Sequence, residues 1–208
     1  IRDTSVTGVQ TCALPISYQI KRLASPKVSS PIYENMAKYI VGLKALSARL
    51  EQACGNNCTE TFLDLRQFHL AGVKVISRYH LQITIKGIYK QFKYWLAMPF
   101  FAPIPWEADR FYSLPGMKNK NISFDWYPVG TGAYYLQVND PNKEMILAKN
   151  PKFRGEPFPQ NGTKQDHQNG YMKQAGKMMP FIDKFVFSLD KESIPVWNKF
   201  LQGYYDRS

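Results

Sequence analysis

The 208-residue sequence is poor in cysteine and histidine, with three of each. Cys12, Cys54 and Cys58 are too few for a fold built on disulfides. His69, His80 and His167 lie too far apart to supply a second ligand pair at zinc-site spacing. Long apolar runs are also missing. No stretch approaches the roughly 18 consecutive apolar residues of a membrane helix, so no membrane span is expected. The opening "SVTGVQTCALPI" (5–16) is interrupted by Thr7, Gln10 and Thr11, which makes it a poor secretory signal. Acidic residues are scarce, 16 against 27 lysines and arginines, for a net charge of +11. The lysines stand in ones and twos and form no block that could track a phosphate backbone. That spacing implies a solvated cationic surface and no nucleic-acid partner. No HExxH, nucleophile elbow or Cys/His pair occurs and the carboxylates are dispersed, so no catalytic set, enzyme activity or cofactor is expected.

What remains is ordinary α/β protein, 44% hydrophobic and long enough to bury a core. Ser29-Ser30-Pro31 precedes Ile32, Met36, Ile40, Leu43 and Leu50 at helical spacing, which predicts one amphipathic helix over about 31–53. "CGNNC" (54–58) is a loop, whose Cys54 and Cys58 read as half a metal site, a redox pair, a small disulfide or two free thiols. "VKVISRYHLQITIKG" alternates, with Tyr79, Leu81, Ile83 and Ile85 on one side, and predicts a half-buried antiparallel strand with His80 on its polar face. "YKQFKYWLAM" (89–98) reads as a helix with Phe92, Trp95 and Leu96 inward.

The next stretch, "MPFFAPIPWEADRFY", holds Phe100, Phe101 and Trp106 among prolines that stiffen the backbone. These aromatics form either a ligand wall or core packed beneath a loop. Val129 to Gly132 is a glycine-based turn before a predicted hairpin, with strands at 133–138 and 144–148 joined by Asn139-Asp140-Pro141-Asn142. It is no phosphate-binding fingerprint, because its glycines precede a strand instead of opening a helix. Residues 150–180 read as loop, 181–189 as a strand, and a last helix starts near Ser193-Ile194-Pro195.

Four ordered segments resemble the family 5 extracellular solute-binding proteins, the peptide- and nickel-type receptors of ABC importers. They are "YQIKRLASP", "VKVISRYHLQITIKGIYKQFKYWLAMPFFAPIPWEA", "VGTGAYYL" with "LAKNPKF", and "PFIDKFVFSL". Ala133, Lys149 and Phe153 depart mildly from the family pattern. The resemblance implies a fragment of a two-lobe periplasmic-binding-protein fold, with a mixed sheet and flanking helices. On that reading 17–180 belongs to the first lobe, and 181–208 forms a hinge strand and the start of the second. It also implies a periplasmic receptor that closes on a peptide or related small solute and hands it to permease subunits. A peptide held by main-chain hydrogen bonds needs aromatic surface and exposed backbone, which nominates Phe100, Phe101, Trp106, Trp126, Tyr127, Gly130, Thr131 and Gly132. The same residues read alternatively as core and as hairpin-shaping glycines. Val6–Ile16, back-translated, resembles a common sequencing adapter, so 1–16 is expected to be a non-native segment. Cys54 and Cys58 are then the remaining possible disulfide pair.

Overall fold

The structure, a computed structural model, describes residues 13–55 and 62–207. They fall into two compact units that divide between Gly130 and Thr131.

The first unit is organised around α1 (Ala13–Leu23), which buries Ala13, Tyr18, Ile20 and Leu23. Lys21 and Arg22 in its last turn complement the negative end of the helix dipole. Residues 13–16 of the segment expected to be non-native form the first turn of this helix; the remainder lies outside the described residues. Past Leu23 the chain turns into α2 (Tyr33–Tyr39) and α3 (Leu43–Cys54).

These two replace the single helix expected over 31–53. Ile40 takes extended backbone, ψ 121°, and Gly42 is left-handed at φ 79°. The break is held by strand-like pairing: Ile40 bridges Ile85, the Val41 N–H donates to the Thr84 carbonyl, and the Lys86 N–H donates to the Tyr39 carbonyl. The helical spacing identified Ile32, Met36, Ile40, Leu43 and Leu50, all buried, but carried no sign of this long-range bridge. Gly72 makes the crossing possible, since a Cβ there would lie 2.4 Å from the Val41 carbonyl oxygen.

The alternating stretch forms a hairpin in place of one strand: β1 (Val73–Ser77) pairs antiparallel with β2 (His80–Ile83), matching Val73 with Ile83 and Val75 with Leu81. Tyr79 sits at its turn and is 67% exposed, against expectation, because the reversal at Arg78-Tyr79 ends the alternation there. Leu81, Ile83 and Ile85 do pack against the core, and His80 is exposed.

The helix expected over 89–98 is a single turn, α4 (Phe92–Trp95), with Phe92 buried. Leu96 is 40% exposed, since the helix ends before a second apolar row forms. After a 3₁₀ turn at Pro99–Phe101, Pro105 precedes α5 (Trp106–Tyr112), where the missing proline N–H leaves no donor unsatisfied. Leu46, Leu65, Leu70 and Phe101 complete the core.

In the second unit β3 (Tyr134–Asp140) and β4 (Glu144–Lys149) form the expected hairpin, and the Asp140 carboxylate accepts the Asn142 N–H at its turn. The loop-rich connection carries β5 (Glu156–Pro157), α6 (Lys164–Gln168) and β6 (Met178–Met179). Thr163 and Asp166 make a reciprocal capping box for α6. Strand β7 (Lys184–Ser188) lies antiparallel to β4, giving sheet order β3-β4-β7. α7 (Ser193–Leu201) follows as read.

Candidate functional site

The proline-rich aromatic turn grows out of the core of the first unit. Phe101 is 3% exposed and inside that core; Phe100 and Trp106 pack against it. The Phe100 carbonyl accepts from Gln19 Nε2 at 2.7 Å, which ties the turn to α1. One face of Trp106 is covered by the Arg66 guanidinium, 3.4 Å from the ring centroid. Arg66 is fixed in turn by Asp64, donating from Nη2 at 2.7 Å and from Nε at 2.9 Å. These bonds hold the Asp64 carboxyl below the ordinary carboxylate range. The turn is therefore a packed and capped element, with its aromatic surface largely consumed within the unit.

Trp126 and Tyr127 differ. Tyr127 is 58% exposed and Trp126 is half-buried, on a backbone turn closed by the Tyr127 N–H donating to the Ser123 carbonyl. Beneath them Tyr112 donates its hydroxyl to the Tyr127 carbonyl at 2.6 Å and meets Phe124 edge-on at 4.6 Å. Burial raises the Tyr112 phenol above its usual value, so it stays a donor through the neutral range. Arg22 lies over the other aromatic of this layer, 5.2 Å from the Phe124 centroid, and donates to Asp109 from Nε at 3.3 Å. Tyr18 donates to the same carboxylate at 2.7 Å. A hydrogen-bonded network running from α1 through α5 thus supports an exposed aromatic ledge at 126–127. Gly130 is exposed at the end of this unit.

Thr131 and Gly132 open the second unit. The Gly132 carbonyl accepts from Asn150 Nδ2 at 2.9 Å, the Asn150 N–H donates to Ala133, and Asn150 Oδ1 accepts the Lys152 N–H. Asn150 thereby clamps the exit of β4 to the entrance of β3. Gly132 itself is not needed for steric reasons, because a Cβ there would meet nothing closer than 3.9 Å. Beside the clamp is an open cavity of about 300 Å³ lined by Ala133, Tyr134, Phe153, Glu156, Phe181 and Ile182 among others. Tyr134 is held there by its hydroxyl, which donates to the Ile182 carbonyl at 2.8 Å, and by an edge contact with Phe185. Glu156 is the one acid in the wall and pairs with Arg154 at 2.8 Å.

The sequence reading missed this cavity. Its walls come from segments far apart in the chain, and only the conspicuous Asn-Pro after β4 hinted that 132 and 150 meet. Chemically it can hold an apolar group beside one carboxylate. Cys54 is disulfide-bonded, and Cys58 lies outside the described residues. Among the described residues no group of three or more His, Cys, Asp or Glu could hold a metal ion, and no helix is long and apolar enough to cross a membrane.

Comparison with solved structures finds this fold in a periplasmic oligopeptide-binding protein of an oligopeptide ABC transporter from Borrelia burgdorferi. The two share 18% identity with a TM-score of 0.63, over 94% of this chain and 31% of that one. The murein tripeptide binding protein MppA of Escherichia coli matches at 18% identity and TM-score 0.60, over 98% of this chain and 32% of its own. Listeria monocytogenes OppA bound to peptide matches at 14% identity and TM-score 0.61, over 94% and 30%. The chain thus spans about a third of the length of the structures it matches. No curated protein gives a significant match. The family model for bacterial extracellular solute-binding proteins, family 5, covers residues 16–206, and the chain belongs to that family.

Proposed function

We propose that the chain is part of the substrate-binding component of an ABC importer, one that captures peptides or a related small solute outside the cytoplasm and delivers them to the membrane permease by closure of two lobes. The observation that carries this reading is the family match over 16–206, joined by structural likeness to proteins titled as oligopeptide- and murein-tripeptide-binding. It is a binding role and not an enzymatic one. Residues 17–180 belong to the first lobe on this reading, and 181–208 to a hinge strand and the start of the second.

Within it the residues assigned to the ligand are Trp126, Tyr127 and the backbone of Gly130 in the first unit, and the backbone of Thr131 and Gly132 in the second. The exposed ring of Tyr127 and the solvent-exposed backbone of Gly130 and Gly132 suit an extended peptide whose side chains are not individually read. Phe100, Phe101 and Trp106 pack with the core of the first unit and keep less surface for a ligand. The test is calorimetric titration of the full gene product with a degenerate library of short peptides, against oligosaccharides and a nickel chelate in parallel. Saturable binding of peptides is expected, with Trp126→Ala and Tyr127→Ala each weakening it about tenfold. Binding confined to a non-peptide solute, or peptide affinity untouched by both substitutions, overturns the assignment of ligand or of site respectively.

A further inference from the structure

The sequence contains two Asn-Gly pairs among its described residues, Asn161-Gly162 and Asn169-Gly170, and the structure gives them opposite surroundings. Asn161 and Gly162 are exposed in the stretch between β5 and α6, outside any regular element. Among the described residues neither the Asn161 side-chain amide nor the Gly162 N–H makes a hydrogen bond, so both reacting groups meet solvent. Asn169 is the C-cap of α6, held at φ −75° and ψ −5°, with its N–H donated to the Gln165 carbonyl. The Gly170 N–H is donated to the His167 carbonyl at 3.1 Å. A helical ψ and an engaged amide keep that nitrogen away from its neighbour's side-chain carbonyl.

We infer that Asn161 is a site of spontaneous covalent modification, at which the chain converts asparagine to aspartate and isoaspartate, while Asn169 is protected. The Gly162 nitrogen loses its proton to base and attacks Cγ of Asn161. A C–N bond forms to close a five-membered imide, and the side-chain nitrogen leaves as ammonia. Water then opens the imide at either carbonyl, giving aspartate or, with the main chain rerouted through Cβ, isoaspartate. No oxidant or further reactant takes part.

The position gives the reaction a structural consequence. Gly162 packs against Met172, whose Sδ would lie 2.7 Å from a Cβ placed there, and Thr163 next in line caps α6 with Asp166. Isoaspartate lengthens the main chain by one carbon just ahead of that box. The added atom pushes 161–163 off Met172 and loosens the 3₁₀ turn Tyr171–Gln174 that carries it.

Tryptic cleavage separates the two pairs, since Gly155–Lys164 carries Asn161 and Gln165–Lys173 carries Asn169. The purified chain, aged at mildly alkaline pH and digested at intervals, is followed by mass spectrometry, with isoaspartate scored by isoaspartyl methyltransferase labelling. A synthetic peptide of sequence 155–164 serves as the unstructured reference. Conversion is expected in 155–164 at a rate close to that of the reference peptide, with 165–173 slower by about tenfold or more. Asn161→Gln removes the product without touching the fold. An amide at 161 that persists while the reference peptide converts, or conversion at Asn169 as fast as at Asn161, overturns the inference.

Discussion

Asp109→Ala probes the hydrogen-bonded layer beneath the aromatic ledge most directly. Asp109 joins α5 to α1 through Tyr18, at 2.7 Å, and Arg22, at 3.3 Å, and the ion pair is largely shielded, with 15% and 19% of the two side chains exposed. Removal strands a buried phenol donor, at about 1 kcal/mol, and leaves a mostly buried guanidinium without its anion. Breaking a fully buried pair costs about 3–5 kcal/mol, and the residual solvent access here lowers that to about 2. The total, about 3 kcal/mol, exceeds a typical surface substitution several-fold. With a urea m-value of about 2 kcal/mol/M, the midpoint for the first unit falls by about 1.5 M. The assay is urea unfolding followed by tryptophan fluorescence, since Trp95, Trp106 and Trp126 all lie in that unit. Arg22→Ala together with Asp109→Ala should cost clearly less than the sum of the single substitutions, because neither partner is then left unpaired. A midpoint shift under about 0.3 M for Asp109→Ala, or strict additivity with Arg22→Ala, refutes the reasoning.

The same layer has an alkaline limit. Burial, reinforced by the Asp109 carboxylate, raises the Tyr18 phenol well above its usual 10.0. Its contribution is complete below pH 10 and lost as pH climbs beyond that, because the unfolded phenol ionises first. Tyr18→Phe should flatten the stability profile above pH 10, and an unchanged alkaline slope in guanidinium melts would show that Tyr18 does not set it. Gly72→Ala should abolish cooperative unfolding of the first unit by far-UV circular dichroism, since its Cβ would strike the Val41 backbone, whereas Gly132→Ala should be neutral or stabilise by about 0.5 kcal/mol. Asn150→Ala should speed amide exchange at the Asn150 and Lys152 N–H groups at least tenfold, by releasing the Gly132 and Lys152 bonds worth about 1 kcal/mol each. Ile194, Trp197, Leu201 and Tyr204 are 72%, 52%, 65% and 76% exposed around α7, and the 208-residue chain should bind an anilinonaphthalene dye at that helix; Trp197→Ser with Leu201→Ser should remove most of that signal.

How far the sequence could be read depended on the range of the interaction that decides each element. The hairpin at 134–149 was legible because its turn chemistry and alternation are local, and Asp140 with Asn142 closes it as those residues predict. The core residues of 32–50 were legible for the same reason, since helical spacing survives a break that keeps the apolar stripe on one side. The break was not legible: it exists because Ile40 finds Ile85 and because Gly72 has no side chain, two facts separated from Gly42 by some thirty residues or more. Alternation through 73–86 suggested one strand because a hairpin whose turn is Arg78-Tyr79 lacks the glycine or asparagine that normally announces a reversal.

The candidate site divides along the same line. Composition alone could not tell aromatics that support from aromatics that present. Phe100, Phe101 and Trp106 lie on a proline-stiffened turn that reads either as a ligand wall or as core; a guanidinium 3.4 Å above Trp106 and a 3% exposure at Phe101 show how they pack within the first unit. Tyr127, beside the single Pro128, is the exposed ring and Trp126 is half-buried, with the Tyr127 carbonyl held by the Tyr112 hydroxyl. The cavity beside Asn150 was beyond reach for a different reason. Part of its wall is set by β6 returning to β5 across a connection that holds only the short α6 and one 3₁₀ turn, too brief for a periodicity to be read. The groups proposed to meet a ligand are held by partners 15 and 18 residues away, Tyr112 for Tyr127 and Asn150 for Gly132. Their test is therefore substitution of the partner: Tyr112→Phe keeps the ring and removes only the bond to the Tyr127 carbonyl. If the ledge works as argued, that change lowers peptide affinity while leaving the urea midpoint within about 0.5 M of the parent; equal affinity in the two proteins would assign Tyr112 to stability alone.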